Sequence, residues 1–422
     1  MKVYIETYGC WLNKAESEIM EKILREHGHV VVDNIERADV LLINTCAVRV
    51  ETEKKILNKL KILRATGKKL IVAGCLVSAR LGAIVSVVPN ASLLAPEALE
   101  AIDEIIEAKG RKVILEEKPR VVLPEYRDVS KTYYVVPIAS GCLGNCTFCI
   151  GKLARPRLRS YDMNKIVLSI ERAVKKGAKE IFLSAQDVAA YGFDKGTNLV
   201  CLLEEILRRV KGKYRIRIGM MEPHLVQLFI DDLLPLFSDE RLYRHVHLPV
   251  QSGDDKVLKL MNRKYTTQEY LCLIRKIRTM YASMSLMTDV IVGFPGEDNE
   301  AFRNTCELIE EVKPDRINIA RYGIRPGTLA ATMKQVPEHV KRERSKKLYL
   351  LARRIRLERN KEVIGSKIEA LIVDIKGERA LGRTENYKLV ILDKVDSLKV
   401  GEFVQARIVD ATVSFLIGKI LE

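Results

Sequence analysis

The run Ser140-Gly-Cys-Leu-Gly-Asn-Cys-Thr-Phe-Cys-Ile150 limits this chain more than any other feature, because Cys142, Cys146 and Cys149 place three thiols within eight residues. The apolar stretch Tyr133 to Ala139 before it reads as a strand that Ser140-Gly141 ends. Thiolates at this spacing can converge on one metal centre. A closed structural zinc site takes four ligands, and the nearest histidine in sequence, His224, is distant. Three ligands instead suggest an open coordination site. A cubane iron–sulfur cluster on three cysteines leaves one iron free for a further ligand. A zinc knuckle completed by a remote residue is the competing reading.

The spacing, with the aromatic Phe148 just before the last cysteine, resembles the radical S-adenosylmethionine (SAM) enzymes. That resemblance implies a [4Fe–4S] cluster whose open iron binds the amino and carboxylate groups of SAM. It also implies one-electron cleavage of SAM to a 5′-deoxyadenosyl radical.

With 422 residues the chain has room for two to four domains, each able to bury a core. The 47% hydrophobic content, without an apolar run long enough to cross a bilayer, points to a soluble globular protein and no membrane partner. Charges in Met1-Lys-Val-Tyr-Ile-Glu-Thr7 stand where a signal peptide needs an apolar core, so a cytoplasmic location is expected. Nine cysteines, an odd number placed largely in short loops, suit ligands in a reducing compartment better than disulfides. The formal charge of +16 favours a polyanionic partner.

The first third alternates strands and helices. Strands are expected over Lys2 to Tyr8, Val30 to Val32, Asp39 to Asn44 and Leu70 to Ala73, with helices over Asn13 to Glu26 and Glu51 to Thr66. This pattern implies a parallel α/β sheet. Cys10, Cys46 and Cys75 each follow an expected strand by two residues. Ligands of open parallel sheets sit beyond the carboxyl ends of the strands, so the three thiols should meet at one edge as a second three-thiolate site. Taken singly, each could equally be a small buried hydrophobe. The words Thr7-Tyr-Gly-Cys-Trp-Leu-Asn13, Ile43-Asn-Thr-Cys-Ala-Val48 and Val72-Ala-Gly-Cys-Leu76 resemble the amino-terminal domain of the methylthiotransferases, which implies an auxiliary [4Fe–4S] cluster on these cysteines.

A helix over Glu97 to Ala108, a strand over Val113 to Leu115 and a Pro-containing stretch to Lys131 mark a domain boundary. Beyond it, six or so strand–helix units up to Lys334 suggest a partial TIM-type (β/α)6 barrel with its site at the carboxyl ends of the strands. Leu183-Ser-Ala-Gln-Asp-Val188, His247-Leu-Pro-Val-Gln-Ser-Gly253 and Thr288-Asp-Val-Ile-Val-Gly-Phe-Pro-Gly-Glu297 resemble methylthiotransferase segments. On that footing Gln186, Gln251 and Ser252 are assigned to the SAM pocket, and Gly293 would let backbone approach the adenosyl group. Each polar residue is as readily a loop hydrogen-bonder without a ligand. Cys201, Cys272 and Cys306 fall within helical patterns and read as core or lightly exposed cysteines.

Glu338 to Glu362 carries dense Lys and Arg around Leu348, Leu351 and Ile355, the pattern of a basic amphipathic helix. Ser366 to Leu421 is rich in β-branched residues and broken by glycines, which suggests a small antiparallel barrel. Gly382-Arg-Thr-Glu-Asn-Tyr-Lys388 resembles the TRAM domain, an RNA-binding module. That implies phosphate contacts from Arg383 and Lys388 and base stacking on Tyr387.

The expected organisation is an α/β chain of three parts: residues 1–118, a parallel α/β domain with the auxiliary cluster; 130–357, the radical SAM barrel; and 358–422, a TRAM-like RNA-binding domain. The resemblance spans nearly the whole chain. It implies methylthio insertion using two SAM molecules and two [4Fe–4S] clusters, with no catalytic side chain assigned beyond the cluster ligands. The words Gly323-Ile-Arg-Pro-Gly-Thr328, Ala154-Arg155 with Arg159-Ser-Tyr161, and Gln335-Val-Pro337 look most like the archaeal and eukaryotic branch acting on N6-threonylcarbamoyladenosine in tRNA. One departure is Pro156, where the family carries Gly after the arginine. The implied partners are the tRNA anticodon stem-loop, an electron donor and a sulfur source. Alternatives are a methylthiotransferase for isopentenyladenosine in tRNA or for a ribosomal protein, and a non-catalytic zinc-containing RNA-binding protein.

Overall fold

The computed structural model describes residues 1–116, 122–128, 131–393 and 398–421. The boundaries expected at residues 118 and 130 lie outside the described residues. Six parallel strands open the chain: β1 (Lys2–Thr7), β2 (Val30–Val32), β3 (Val40–Thr45), β4 (Lys69–Gly74), β5 (Ser92–Leu94) and β6 (Val113–Ile114), ordered β2-β1-β3-β4-β5-β6. All six residues of β3 are buried because helices cover both faces of the sheet. Alternation sends Val40 and Leu42 toward Met20 and Ile23 of the helix Trp11–Glu26, and Leu41 and Ile43 toward Ile56 and Leu60 of the helix Val50–Arg64. The single helix expected over Glu97 to Ala108 is instead a 3-10 turn, Leu99–Ala101, running into a shorter helix, Ile102–Glu107.

The middle of the chain forms an arc of six parallel strands. β7 (Tyr133–Pro137), β10 (Glu180–Ser184) and β11 (Arg215–Ile218) pair in sequence. β12 (His245–His247), β13 (Ser285–Val292) and β14 (Arg316–Arg321) pair likewise, and a parallel bridge between Met220 and His247 joins the halves. A short antiparallel pair, β8 (Ala139–Ser140) with β9 (Arg159–Ser160), frames the first loop. Ile181, Leu183, Ile216 and Ile218 pack outward under helices. Alternation turns Phe182, Arg217, His245, His247 and Asp289 into the lumen, which is therefore polar rather than a stacked aliphatic core. The helix Trp11–Glu26 lies against β7, with Trp11 edge-on to Tyr133 at 5.3 Å and Phe182 at 5.1 Å.

The helix Glu338–Lys361 covers β14 and leads to a closed barrel of β15 (Lys367–Lys376), β16 (Arg379–Thr384), β17 (Leu389–Asp393), β18 (Phe403–Ala411) and β19 (Leu416–Ile420). Four of its strand pairings are antiparallel, and β17 with β19 is parallel. Five strands cannot alternate in direction all the way around a closed ring, so one parallel pair is a topological necessity. Among the described residues, no helix is long and apolar enough to cross a membrane.

Candidate metal centres

β1, β3 and β4 are neighbours in the sheet, so the turns that follow them lie side by side at its carboxyl edge. Cys10, Cys46 and Cys75 occupy those turns. Gly9 is so close to the second turn that a Cβ there would stand 2.8 Å from Cys46 Cβ. Buried side chains stitch the turns together. Asn13 accepts from the Cys10 thiol at 3.1 Å and donates to the Thr45 carbonyl at 2.9 Å. Asn44 donates to Asn13 O at 2.9 Å, and Thr45 Oγ1 donates to Ala73 O at 2.6 Å. Burial pushes the Cys46 thiol up, and Cys10 adds to that. Burial likewise pushes Cys75 up to about 11, while Arg155 beside it pulls the other way.

The second trio sits on the loop after β7. Gly141 holds φ of +83°, and a Cβ there would fall 1.8 Å from Arg157 O, so only glycine fits the turn that starts the loop. Its N–H donates to Gln186 Oε1 at 2.8 Å. The sulfurs of Cys142 and Cys146 flank Gly144, whose added Cβ would lie 3.4 and 3.8 Å from them, and the Gly144 N–H donates to Cys142 Sγ at 3.2 Å. Arg263 donates to Cys146 Sγ at 3.3 Å and pairs with Glu222 at 3.0 Å. Burial pushes Cys142 up to about 12, with Asp187 and the other two cysteines contributing, and Cys149 is raised by burial and by Cys146.

A bound cation would offset the burial that disfavours the thiolate forms of Cys46, Cys75, Cys142 and Cys149. Backbone N–H and guanidinium donors already aimed at sulfur are the surroundings that tune iron–sulfur clusters. Each trio therefore fits a metal cluster carried on three thiolates. Among the described residues, no three His, Cys, Asp or Glu side chains are gathered as tightly as one metal ion would require.

The two trios adjoin. The short helix Cys75–Ala79 packs on the short helix Gly151–Ala154, which follows Cys149 directly, and Ile150 and Ala154 share a core with Cys75 and Leu76. Arg155, 1% exposed, follows that second helix with φ of −144° and ψ of 81°, outside the helical region that Pro156 disfavours for the residue before it. Its guanidinium pairs with the equally buried Glu16 at 2.5 Å, donates to Ser140 Oγ at 2.9 Å and reaches Cys75. Beside them opens a cleft of about 530 Å³ whose walls include Arg49, Cys149, Gln251, Asp289 and Arg325. Asp289 accepts from His247 at 2.9 Å and from Asn318 at 2.6 Å.

The remaining sequence-assigned residues divide. Gln251 lines the cleft with φ of +67°. Gln186 braces the cluster loop through Gly141. Ser252 is fully buried, 3.5 Å from Thr305 Oγ1, and is not among the cleft's lining residues. Gly293 admits a lysine stem: a Cβ there would lie 2.3 Å from Lys341 Cγ. The residues expected to contact RNA are engaged within the chain. Arg383 pairs with Glu180 at 2.8 Å and lies over the Tyr387 ring at 4.4 Å. Tyr387 packs on His245 and Tyr243 at 4.8 and 5.0 Å, and Lys388 pairs with Asp315 at 2.7 Å. All three dock the C-terminal barrel onto the amino-terminal ends of the arc strands, where polar side chains otherwise face each other. Sequence reasoning missed Arg155, Arg263 and the His247–Asp289–Asn318 group. Arg155, His247 and Asp289 lie inside the quoted words, but nothing in a word marks which side chain will be buried or paired.

Three family models match in order: an uncharacterized protein family, UPF0004, over residues 2–95, the Radical SAM superfamily over 136–309, and the TRAM domain over 361–421. A Pyrococcus abyssi protein named probable threonylcarbamoyladenosine tRNA methylthiotransferase is 41% identical, covering 100% of both chains. A tRNA-2-methylthio-N(6)-dimethylallyladenosine synthase of Dictyoglomus thermophilum is 35% identical, covering 100% of this chain and 98% of its own. The solved structure of a radical S-adenosylmethionine methyltransferase, TsrM, from Kitasatospora setae, with cobalamin and a [4Fe-4S] cluster bound, has a TM-score of 0.58 at 13% identity. It covers 78% of this chain and 77% of that one, a likeness of fold alone.

Proposed function

The chain belongs to the threonylcarbamoyladenosine tRNA methylthiotransferases, and we propose from that premise that it inserts a methylthio group at C2 of N6-threonylcarbamoyladenosine beside the anticodon of tRNA. The observation that supports the reading is that the short helix beginning at Cys75 packs on the one that follows Cys149, beside a cleft that Cys149 lines. Cys142, Cys146 and Cys149 would hold one [4Fe–4S] cluster, and Cys10, Cys46 and Cys75 the other. When bound, such clusters with SAM supply the one-electron chemistry that an unactivated C–H bond demands of a cofactor.

The chain's own residues do the positioning. Gln251 is the sequence-assigned polar group that stands on the cleft wall with Cys149, and is the candidate contact for SAM. Gln186 and Arg263 fix the cluster loop from two sides, through Gly141 and Cys146. Ser252 and Gly293 support those loops by packing, at Thr305 and Lys341. Arg49 places positive charge on the cleft wall, where it suits an RNA phosphate, whereas Arg321 and Arg325 beside it pair with Glu338 and Glu53. The proposed division is residues 1–118, 130–357 and 358–422, although its second boundary falls within the continuous helix Glu338–Lys361. The reaction also draws on an electron donor and a sulfur source from other molecules, and cytoplasmic tRNA is its substrate pool.

Anaerobic reconstitution with iron and sulfide tests the cluster assignment. Two clusters' worth of iron per chain is expected, with one lost on Cys10→Ala and a separate one on Cys142→Ala. Stoichiometric zinc without broad visible absorption would favour the zinc-containing RNA-binding alternative. Mass analysis of tRNA nucleosides from a strain lacking the gene tests the substrate. Loss of the methylthio group from isopentenyladenosine instead of the threonylcarbamoyl nucleoside would overturn the proposal in favour of the activity named in the Dictyoglomus relative.

A further inference from the structure

A second cavity, of about 120 Å³, lies far from the clusters in the seam between the amino-terminal ends of β12 to β14 and the C-terminal barrel. His245, Arg316, Arg356, Arg383 and Lys388 all line it. Arg217 stands alongside, over the Tyr387 ring at 5.2 Å. Two buried carboxylates serve this seam. Glu180 takes Arg383, and Asp315 takes Lys388 at 2.7 Å and Arg359 at 3.6 Å. Among the described residues Arg217, Arg316 and Arg356 make no ion pair. Arg356 has only the Ser414 carbonyl, at 2.9 Å.

Five cations, Arg217, Arg316, Arg356, Arg383 and Lys388, therefore face the two carboxylates in a partly closed space, while Arg359 is matched separately by Glu362 at 2.5 Å. Like charges gathered out of water repel strongly unless a counter-charge joins them. Burial and the neighbouring Arg383 and Arg316 hold the Arg217 guanidinium below its ordinary range. His245 is 5% exposed and carries a second sign of an absent partner. Its Nδ1 meets Ser285 Oγ at 2.8 Å, whereas Nε2 is buried with nothing bonded to it. Burial and the surrounding arginines lower the ring's pKa, and in the tautomer whose Nδ1 accepts from the serine hydroxyl the Nε2–H is a free donor.

We propose that this seam is an oxyanion site, in which Arg217, Arg316, Arg356 and His245 Nε2 hold a tetrahedral anion of the phosphate class between the radical SAM arc and the C-terminal barrel. Guanidinium groups match phosphate oxygens in pairs, and one bound anion offsets the excess that the two carboxylates leave. Arg316 is solvent-exposed and gives the site an open side. The anion is either free inorganic phosphate, clamping the barrel to the arc, or a phosphodiester of bound RNA. The site does not depend on the methylthiotransferase reading, because no cluster ligand takes part in it.

The test uses the full-length reconstituted protein and the double variant Arg316→Gln/Arg356→Gln, neither residue of which makes an ion pair. Inorganic phosphate is expected to raise the melting temperature of the wild type over chloride at equal ionic strength, and not that of the variant. In chloride the variant should melt at or above the wild-type temperature, because repulsion has been relieved. If the natural anion is a phosphodiester, binding of an anticodon stem-loop RNA will lose ~0.7 from the slope of log affinity against log salt, the contribution of one single-strand phosphate. Loss of the phosphate effect with an unchanged RNA slope identifies the free anion. If both proteins respond equally to phosphate and bind RNA with equal slopes, the site does not exist.

Discussion

Replacing Arg155 with Met removes the charge that joins the two cluster-bearing parts of the chain. Both members of the Arg155–Glu16 pair are sealed from water, at 1% and 2% side-chain exposure, and their charged atoms are 2.5 Å apart. Met fills the space but leaves Glu16 ionised and unmatched, which for a buried pair costs about 3–5 kcal/mol. Burial pushes the Glu16 carboxyl up, and Arg155 is the group that draws it back. Without the arginine its folded pKa stands well above the unfolded value of about 4.3, so the unfolded chain binds fewer protons over that interval and stability falls as pH rises through it. The assay is denaturant unfolding of the apo-protein at about pH 5 and pH 8 for Arg155→Met, Glu16→Gln and the double variant. The loss in Arg155→Met should be larger at pH 8, and the double variant should recover at least about 1 kcal/mol of it. A loss below about 1 kcal/mol, independent of pH and additive with Glu16→Gln, would show that no ion pair ties the two parts together.

Three other perturbations address separate links. Gly141→Ala should abolish iron loading at Cys142, Cys146 and Cys149 while leaving the Cys10 cluster, because the new Cβ collides with Arg157 O; full loading of both, measured as iron per chain and visible absorption, contradicts the required turn. Arg263→Met takes away the donor to Cys146 Sγ and strands Glu222, so the same cluster should form with altered absorption and be lost faster on exposure to chelator; an unchanged spectrum and chelation rate would remove Arg263 from the cluster environment. Lys388→Met leaves the 7%-exposed Asp315 with Arg359 at 3.6 Å, and should cost about 3 kcal/mol and open the C-terminal barrel to proteolysis. Weakened RNA binding with unchanged stability would return Lys388 to the RNA surface.

What could be read from the sequence, and what could not, follows from the range of the forces involved. The strands were legible because burial on two faces leaves an unbroken apolar word, as in Val40–Thr45, and the cysteines were legible because a parallel sheet gathers the residues after its strands at one edge. Both inferences need only local pattern plus a topological rule. Arg383, Tyr387 and Lys388 show where that kind of reading stops. A turn carrying two cations and an aromatic looks the same whether it faces RNA or a neighbouring domain, and its pairing with Glu180 and Asp315, 203 and 73 residues earlier, has no local signal. Ser252 is a second case, since its place in a polar loop word does not reveal that Thr305 lies beside it. The same limit explains Arg155. In sequence it is one cation among seventy-one Lys and Arg, and its meaning comes from Glu16 on a helix of a different sheet. Long-range pairs of this sort carry no periodicity, yet they fix how the cluster-bearing loops meet. A chain can therefore disclose its ligands through its own spacing while hiding the contacts that hold those ligands in register.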